Sequence, residues 1–311
     1  MTAESRDVLS RHLSSAAVRE AADLASELLT EVVNYGTAVL SRCNHHLGPL
    51  PLKPEDRALL VLLRQVLEST DAMQILAQAG TVAASDPLLR SALEAFVAIT
   101  FIAVDDRQAM QRRGRAYMLS VLRRQLRELT ERKPGTPEYD RLLKKVKDDK
   151  YVSEFIPIPK TDEAEQISRI QRELATAELL AVAEIFDSFK REKKRAQWYT
   201  LDSNALTIEQ LTRAVQLEGV YHVLYRSFSA YAHAQDVAVP GDEAWLRLRS
   251  SPGFTIAVSL MLWIVLEALR TVLTFYRPVE WPDMQKWYSS EVRPRRDAMQ
   301  AIKIAEVPPG G

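Results

Sequence analysis

Residues 85–106 read "SDPLLRSALEAFVAITFIAVDD", and what this run is decides what the rest of the chain must be. Its apolar part, 92–104, is interrupted by Glu94 and closes on Asp105 and Asp106. It is therefore well short of the roughly 20 apolar residues that a bilayer demands. No alternation of period two marks it as a strand. Asp86 stands where it can cap exposed amide groups and Pro87 where a first helical residue is expected. The run reads as a helix to about Val104, apolar enough to be central to a core. A second stretch, "FTIAVSLMLWIVLEALRTVLTFY" (254–276), is uninterrupted only from Phe254 to Leu266, before Glu267 and Arg270. It too reads as a core helix, with peripheral membrane contact as the alternative, and no transmembrane segment is expected.

Outward from these two runs, the same period recurs. Apolar residues at Val18, Ala22, Ala25, Leu28, Leu29, Val32 and Val33 predict a helix from Ser15 to about His46, ended by Gly48 and the prolines of "HHLGPLPLKP". Further helices are expected over 54–78, 107–132, 137–149, 162–196, 218–235, 253–276 and 282–300. A short one is expected from the capping box "TIEQ" (207–210), with Thr207 as cap and Gln210 reaching back. Prolines 157 and 159 make 151–160 a loop, and "EVPPGG" at the end reads as a disordered tail. Only ten glycines occur in 311 residues, among long stretches of Ala, Leu, Arg, Glu and Gln, a composition that favours helix. The fold class is all-α: a multi-helix bundle with a long polar helical hairpin arm. The expected organisation is an N-terminal helix and loop (1–53), a helical core domain (54–276) from which 105–200 can project as the arm, and a C-terminal helix with its tail (277–311).

Charge excludes some functions and localises others. Forty-one basic residues balance forty-one acidic ones, so the net field selects no partner. Between Arg107 and Lys150, fourteen Lys/Arg face six Asp/Glu, and 154–187 holds eight acidic against three basic residues. This pattern fits an antiparallel hairpin whose arms neutralise one another, or a basic face for nucleic acid. The knot "KREKKR" (190–195) has no obvious acidic mate. One cysteine, Cys43, excludes a disulfide framework and suits a reducing cytoplasm. The first residues lack the apolar stretch of a signal peptide. There is no phosphate-cradling glycine loop, no HExxH and no GxSxG.

The chemistry concentrates in "YHVLYRSFSAYAHAQ" (221–235). On a helical wheel, Tyr221, Leu224, Tyr225, Phe228, Tyr231 and Ala232 gather on an apolar face. His222, Arg226, Ser229 and His233 fall in a stripe about 60° wide on another. A merely solvated face would use Glu, Lys and Gln. This stripe instead offers imidazoles able to move protons near neutrality and a guanidinium able to hold a phosphate. Arg90 and Glu94, the only charges between Leu88 and Val104, need partners if buried. A network of Arg90, Glu94, Ser229 and His233 would either lock two helices in register or place an orienting carboxylate behind a reactive histidine. Small-ligand or nucleotide binding is the third alternative.

"LLRSALEAF" (88–96), "WY" (198–199) and "YHVLYRSFSAYAH" (221–233) together resemble the domain-of-unknown-function family numbered 5677. In that family an Arg-Ser-x-x-Glu helix precedes a Tyr-rich helix ending in Ser-x-x-x-His. The resemblance extends over about 55–275 and implies a helical fold without an established chemistry. A looser resemblance is to the HEPN superfamily of nucleotide-binding helical domains. Many of its members are metal-independent ribonucleases of bacterial defence and toxin systems, marked by an arginine and a histidine four to six residues apart. Here Arg226 and His233 have six residues between them, and Ser227 follows the arginine where a larger amide or acid is commoner. What the resemblance implies is an RNA endonuclease acting as a homodimer without cofactor or metal. His233 would be general base on the 2′-hydroxyl, Arg226 the stabiliser of phosphate charge, and Ser229 a donor to phosphate or imidazole. Glu94, Arg90, His222 and Tyr225 would support them. The rival reading from another class is a non-catalytic helical scaffold or an RNA-binding adaptor.

Lesser candidates are Cys43, His45 and His46, whose adjacent helical positions point apart, with both histidines favouring a helix C-terminus in any case. Trp198 and Tyr199 could stack a base or anchor a loop.

Overall fold

The computed structural model describes residues 16–48, 51–79, 84–149, 164–192, 196–225 and 253–302. Among the described residues all regular structure is helical, so the chain is an all-α multi-helix protein. Two compact units are present. One gathers the described residues within Met1–Leu52, Leu59–Asp106 and Thr207–Gly311, the other those within Lys53–Ala58 and Arg107–Leu206.

The first unit is built on apolar helices. α1 (Ala16–His46) buries Val18, Ala22, Ala25, Leu28, Leu29, Val32 and Val39, a stripe at steps of three and four. α2 (Pro54–Gln78) contributes Leu59, Leu63 and Val66 to the same unit, all fully buried. α3 (Asp86–Ala103) is buried nearly all round, from Leu89 to Ile102, as expected for a helix too apolar to face water. Fully burying each such Leu or Ile side chain contributes about 1.5–3 kcal/mol. α3 packs on the long apolar helix Phe254–Tyr276, which also meets α1. Phe96 and Trp263 join α3 to that helix edge to face, with centroids 5.4 Å apart. Phe254–Tyr276 is long and apolar enough to cross a membrane by length and composition, yet half of its most apolar stretch lies inside the protein.

The N-terminus of α3 differs from the expected cap. Ser85 occupies the cap position without a side-chain capping bond, and Asp86 and Pro87 are already helical. The Asp86 carboxyl still lies at the positive end of the helix, although burial raises its pKa. The chain leaves α3 through Asp105 at φ 70°, a left-handed residue that Asp tolerates better than most.

The second unit is polar and held by charge. α4 (Arg107–Arg132) packs against α5 (Pro137–Asp148), α6 (Ala164–Leu174) and α7 (Ala177–Glu192). Its buried face is thin: Met110, Ala116, Met118, Leu119 and Leu122 are buried on α4, and Ile167, Ile170, Leu179 and Val182 on α6 and α7. Thr136 caps α5, accepting from the Tyr139 amide at 3.1 Å, with Pro137 as first helical residue. The single helix expected over 162–196 is two helices. Thr176 interrupts it, donating its hydroxyl to the Glu173 carbonyl at 2.9 Å while its own carbonyl accepts from Leu179 and Leu180 as the next helix opens.

Short helices complete the set. α8 (Thr200–Ser203) ends at Asn204 in the left-handed region. α9 (Ile208–Ala214) starts on Thr207, which accepts from the Gln210 amide at 3.2 Å as the capping box requires. α10 (Glu218–Val220) runs into a π turn, Tyr221–Tyr225. The apolar helix Phe254–Tyr276 is α11. A 3₁₀ turn at Pro278–Glu280 leads to α12 (Trp281–Trp287), a second π turn (Tyr288–Val292) and α13 (Arg293–Ala301), which packs on α1. The expected C-terminal helix over 282–300 is thus one helical run widened at its centre.

Candidate functional site

The polar group in the first unit starts on α3. Arg90 and Glu94 are one turn apart, which puts their side chains on one face, and Arg90 Nε donates to Glu94 Oε1 at 3.0 Å. Tyr225, the last residue of the first π turn, completes the group from 131 residues further along. Its hydroxyl donates to Glu94 Oε1 at 2.8 Å and accepts from Arg90 Nη2 at 3.0 Å. The guanidinium also lies 5.0 Å from the Tyr225 ring centroid, a cation–π contact. The Tyr221 ring stacks on Tyr225 at 5.0 Å, the planes 19° apart.

The electrostatics follow from this closure. Burial, reinforced by the bond to Glu94, pushes the Tyr225 hydroxyl up to about 12. It is thus a donor at any ordinary pH and not a base. The hydrogen bond to Glu94 holds the Arg90 guanidinium above its ordinary pKa. Glu94 spends one oxygen on both partners. Its other oxygen, Oε2, accepts no hydrogen bond among the described residues, and the side chain is 42 % exposed.

His222 does not join this group. Its Nε2 lies 3.8 Å from Glu218, a carboxylate already held by Arg213 at 2.6 Å. Four residues apart, His222 and Glu218 share a face as any such helical pair does. A wheel drawn at about 100° per residue does not carry through 221–225, where the turn is wider. Arg226, Ser229 and His233 lie outside the described residues. The structure therefore joins Arg90, Glu94 and Tyr225 and sends His222 elsewhere. Tyr225, expected as a supporting residue, lies on the apolar face of the wheel, and its hydroxyl is what reaches Arg90 and Glu94. The available signal was a Tyr, rather than a Phe, beside the reactive segment of a chain with a lone Arg–Glu pair in an apolar helix.

The basic stretch of α4 is largely committed within its own unit. Arg107 pairs with Asp56, Arg112 and Arg113 with Asp202, and Arg123 with Asp187 at 2.7 and 2.9 Å. Arg115 grips both oxygens of Glu55, each at 3.0 Å. The neutralising acids come from the first turn of α2 and from Asp202 as much as from the 154–187 stretch. This arrangement leaves those arginines occupied, but of the five only Arg123 is paired with an acid of the 154–187 stretch that the antiparallel-arm reading invoked. Of the knot at 190–195, residues 193–195 lie outside the described residues. Trp198 meets Tyr117 of α4 edge to face at 5.2 Å, so it is engaged in packing.

Cys43 is fully buried and its thiol is pushed up to about 11 by burial, while His45 and His46 are exposed. These three do not converge, and among the described residues no group of three His, Cys, Asp or Glu side chains could hold a metal ion.

No curated protein and no solved structure matches the chain. A family model does, over residues 56–239, a span that includes Arg90, Glu94, Tyr225 and the 226–233 segment and stops short of α11. The chain belongs to the family described as "Family of unknown function (DUF5677)".

Proposed function

We propose that this protein is a metal-independent RNA endonuclease of the HEPN-like kind, acting as a homodimer in the cytoplasm. His233 is the general base on the 2′-hydroxyl, and Arg226 stabilises the charge that builds on the phosphate. Ser229 assists either group. The observation that supports the reading best is that Glu94 Oε2 accepts no hydrogen bond among the described residues. A carboxylate fixed through its other oxygen by Arg90 and Tyr225, and open to solvent, is what orients an imidazole for proton transfer. Tyr225 also directly precedes Arg226 in the chain, so the same three side chains tether the start of the reactive segment. Here Glu94, Arg90 and Tyr225 are positioning residues.

The experiment is incubation of pure protein with single-stranded and structured RNA in EDTA. Cleavage is expected, falling about 10²–10⁴-fold in His233→Ala and comparably in Arg226→Ala. Glu94→Gln is expected to lower the rate less and to shift its pH profile. RNA left intact by the native protein, or cut equally by His233→Ala, removes the nuclease reading.

A second reading is a non-catalytic helical adaptor, and one observation favours it. Arg90, Glu94 and Tyr225 satisfy one another in a closed set of three hydrogen bonds, as a lock between α3 and the 221–225 turn would. Under that reading Glu94→Gln changes the melting temperature and nothing in RNA.

A further inference from the structure

A cavity of about 460 Å³ opens between α11 and the C-terminal run α12–α13, outside the span of the family match. That volume is within the range of small-molecule sites. Trp263 and Leu266 of α11 and Trp281 and Met284 of α12 supply apolar walls, and Arg270, Arg293 and Arg296 supply cations.

The cations are not equivalent. Arg270 is held by Glu267 at 2.6 Å, and Arg296 by Asp297 at 2.7 Å and by the Tyr288 hydroxyl at 2.5 Å. Arg293 has no carboxylate partner among the described residues; its guanidinium lies 5.4 Å from the Tyr288 ring centroid. In a regular α-helix residues five apart are about 140° apart around the axis. The π turn Tyr288–Val292 brings Tyr288 and Arg293 to the same side, and wide turns of this kind recur at functional sites. The aromatic side is equally uneven. Trp263 is engaged edge-on by Phe96, whereas Trp281 has no ring partner among the described residues.

We infer that this cavity binds a small aromatic monocarboxylate, its ring against Trp281 and Trp263 and its carboxylate in the fork of Arg293. One uncompensated guanidinium matches one negative charge. A nucleotide polyphosphate would meet Glu267 and two cations already neutralised. A planar carboxylate suits the bidentate geometry of Arg.

The test is titration of the full chain with 3-phenylpropionate, its neutral amide and phenyl phosphate, read by calorimetry and tryptophan fluorescence. The carboxylate is expected to bind at least tenfold more tightly than the amide and more tightly than the phosphate dianion. Arg293→Gln, an exposed position that leaves folding intact, is expected to remove that preference. Arg270→Gln is expected to change affinity less than about threefold. Trp281→Phe is expected to reduce the fluorescence response while retaining the charge preference. Equal binding of acid and amide, an unchanged Arg293→Gln titration, or no heat at millimolar carboxylate overturns the inference.

Discussion

Two Arg–carboxylate clusters in this protein use the same groups and come to different ends. In the second unit Glu55 is fully buried and gripped through both oxygens by Arg115, while the α4 backbone at Gly114 runs so close that an added Cβ would lie 2.8 Å from the Glu55 Cα. In the first unit Glu94 offers one oxygen to Arg90 and Tyr225, with 42 % of its side chain open. The Glu55 carboxylate is sealed from water with both oxygens engaged, so it is a fastener. The Glu94 group keeps an acceptor in reach of solvent. The type of ion pair is the same; burial, and whether one oxygen is left facing water, decide whether it can take part in chemistry.

The largest expected effect falls on the buried side of this contrast. Glu55→Ala strands the Arg115 guanidinium, only 25 % exposed, and removes an acid from the first turn of α2 where the helix dipole favours it. Breaking a buried pair by deleting one partner costs about 3–5 kcal/mol. Urea unfolding followed by circular dichroism measures it. A loss under 1 kcal/mol would place Glu55 in the same class as Glu94 and erase the distinction.

Gly114→Ala comes next. The new methyl would contact the Glu55 Cα, Cβ and carbonyl oxygen at 2.8–3.0 Å, and two of these three atoms are backbone, which cannot swing aside. Overpacking of this kind costs about 1–3 kcal/mol. The comparison sharpens with Gly36→Ala in the first unit, where the nearest neighbour is the tip of the Leu67 side chain and can yield. The loss at 114 should exceed the loss at 36, measured by the same unfolding curves.

Neither cluster was equally legible from sequence, for physical reasons. Arg90 and Glu94 stood out because they are the only charges in an apolar run, and a one-turn spacing is a local fact. Glu55 and Arg115 are ordinary members of polar helices sixty residues apart, and nothing local says that they meet. Helix positions were readable wherever an apolar stripe met a cap or a proline, as at His46, Pro54, Thr136 and Thr207. The break at Thr176 was not, because one hydroxyl competing for a carbonyl leaves no mark on periodicity. The two π turns were invisible for a related reason: the wheel presumes the spacing that they alter. That is why the approach of Arg293 to Tyr288 had no sequence signal.

The smallest effect expected is at Tyr225, where it is diagnostic because of its pH dependence. Tyr225→Phe keeps the ring against Arg90 and Tyr221 and removes only the hydroxyl. Arg90 and Glu94 still have each other, and water can reach both, so the loss near pH 8 should be about 1 kcal/mol. The Tyr225 hydroxyl is pushed up to about 12 from an ordinary 10. Between those values the unfolded chain has released this proton and the folded one retains it. The unfolded state then binds fewer protons, so stability falls as pH rises through the window. Tyr225→Phe has no such proton to hold. Tyr35 and Tyr117, also raised by burial, are common to both proteins and cancel in the difference. The stability advantage of the native chain should therefore be full at pH 8 and 9 and shrink toward pH 11.5. A gap that stays constant across that range would mean that the hydroxyl is solvated like any surface tyrosine, and the closed set on α3 would then be no different from an exposed pair such as Arg64 and Glu68.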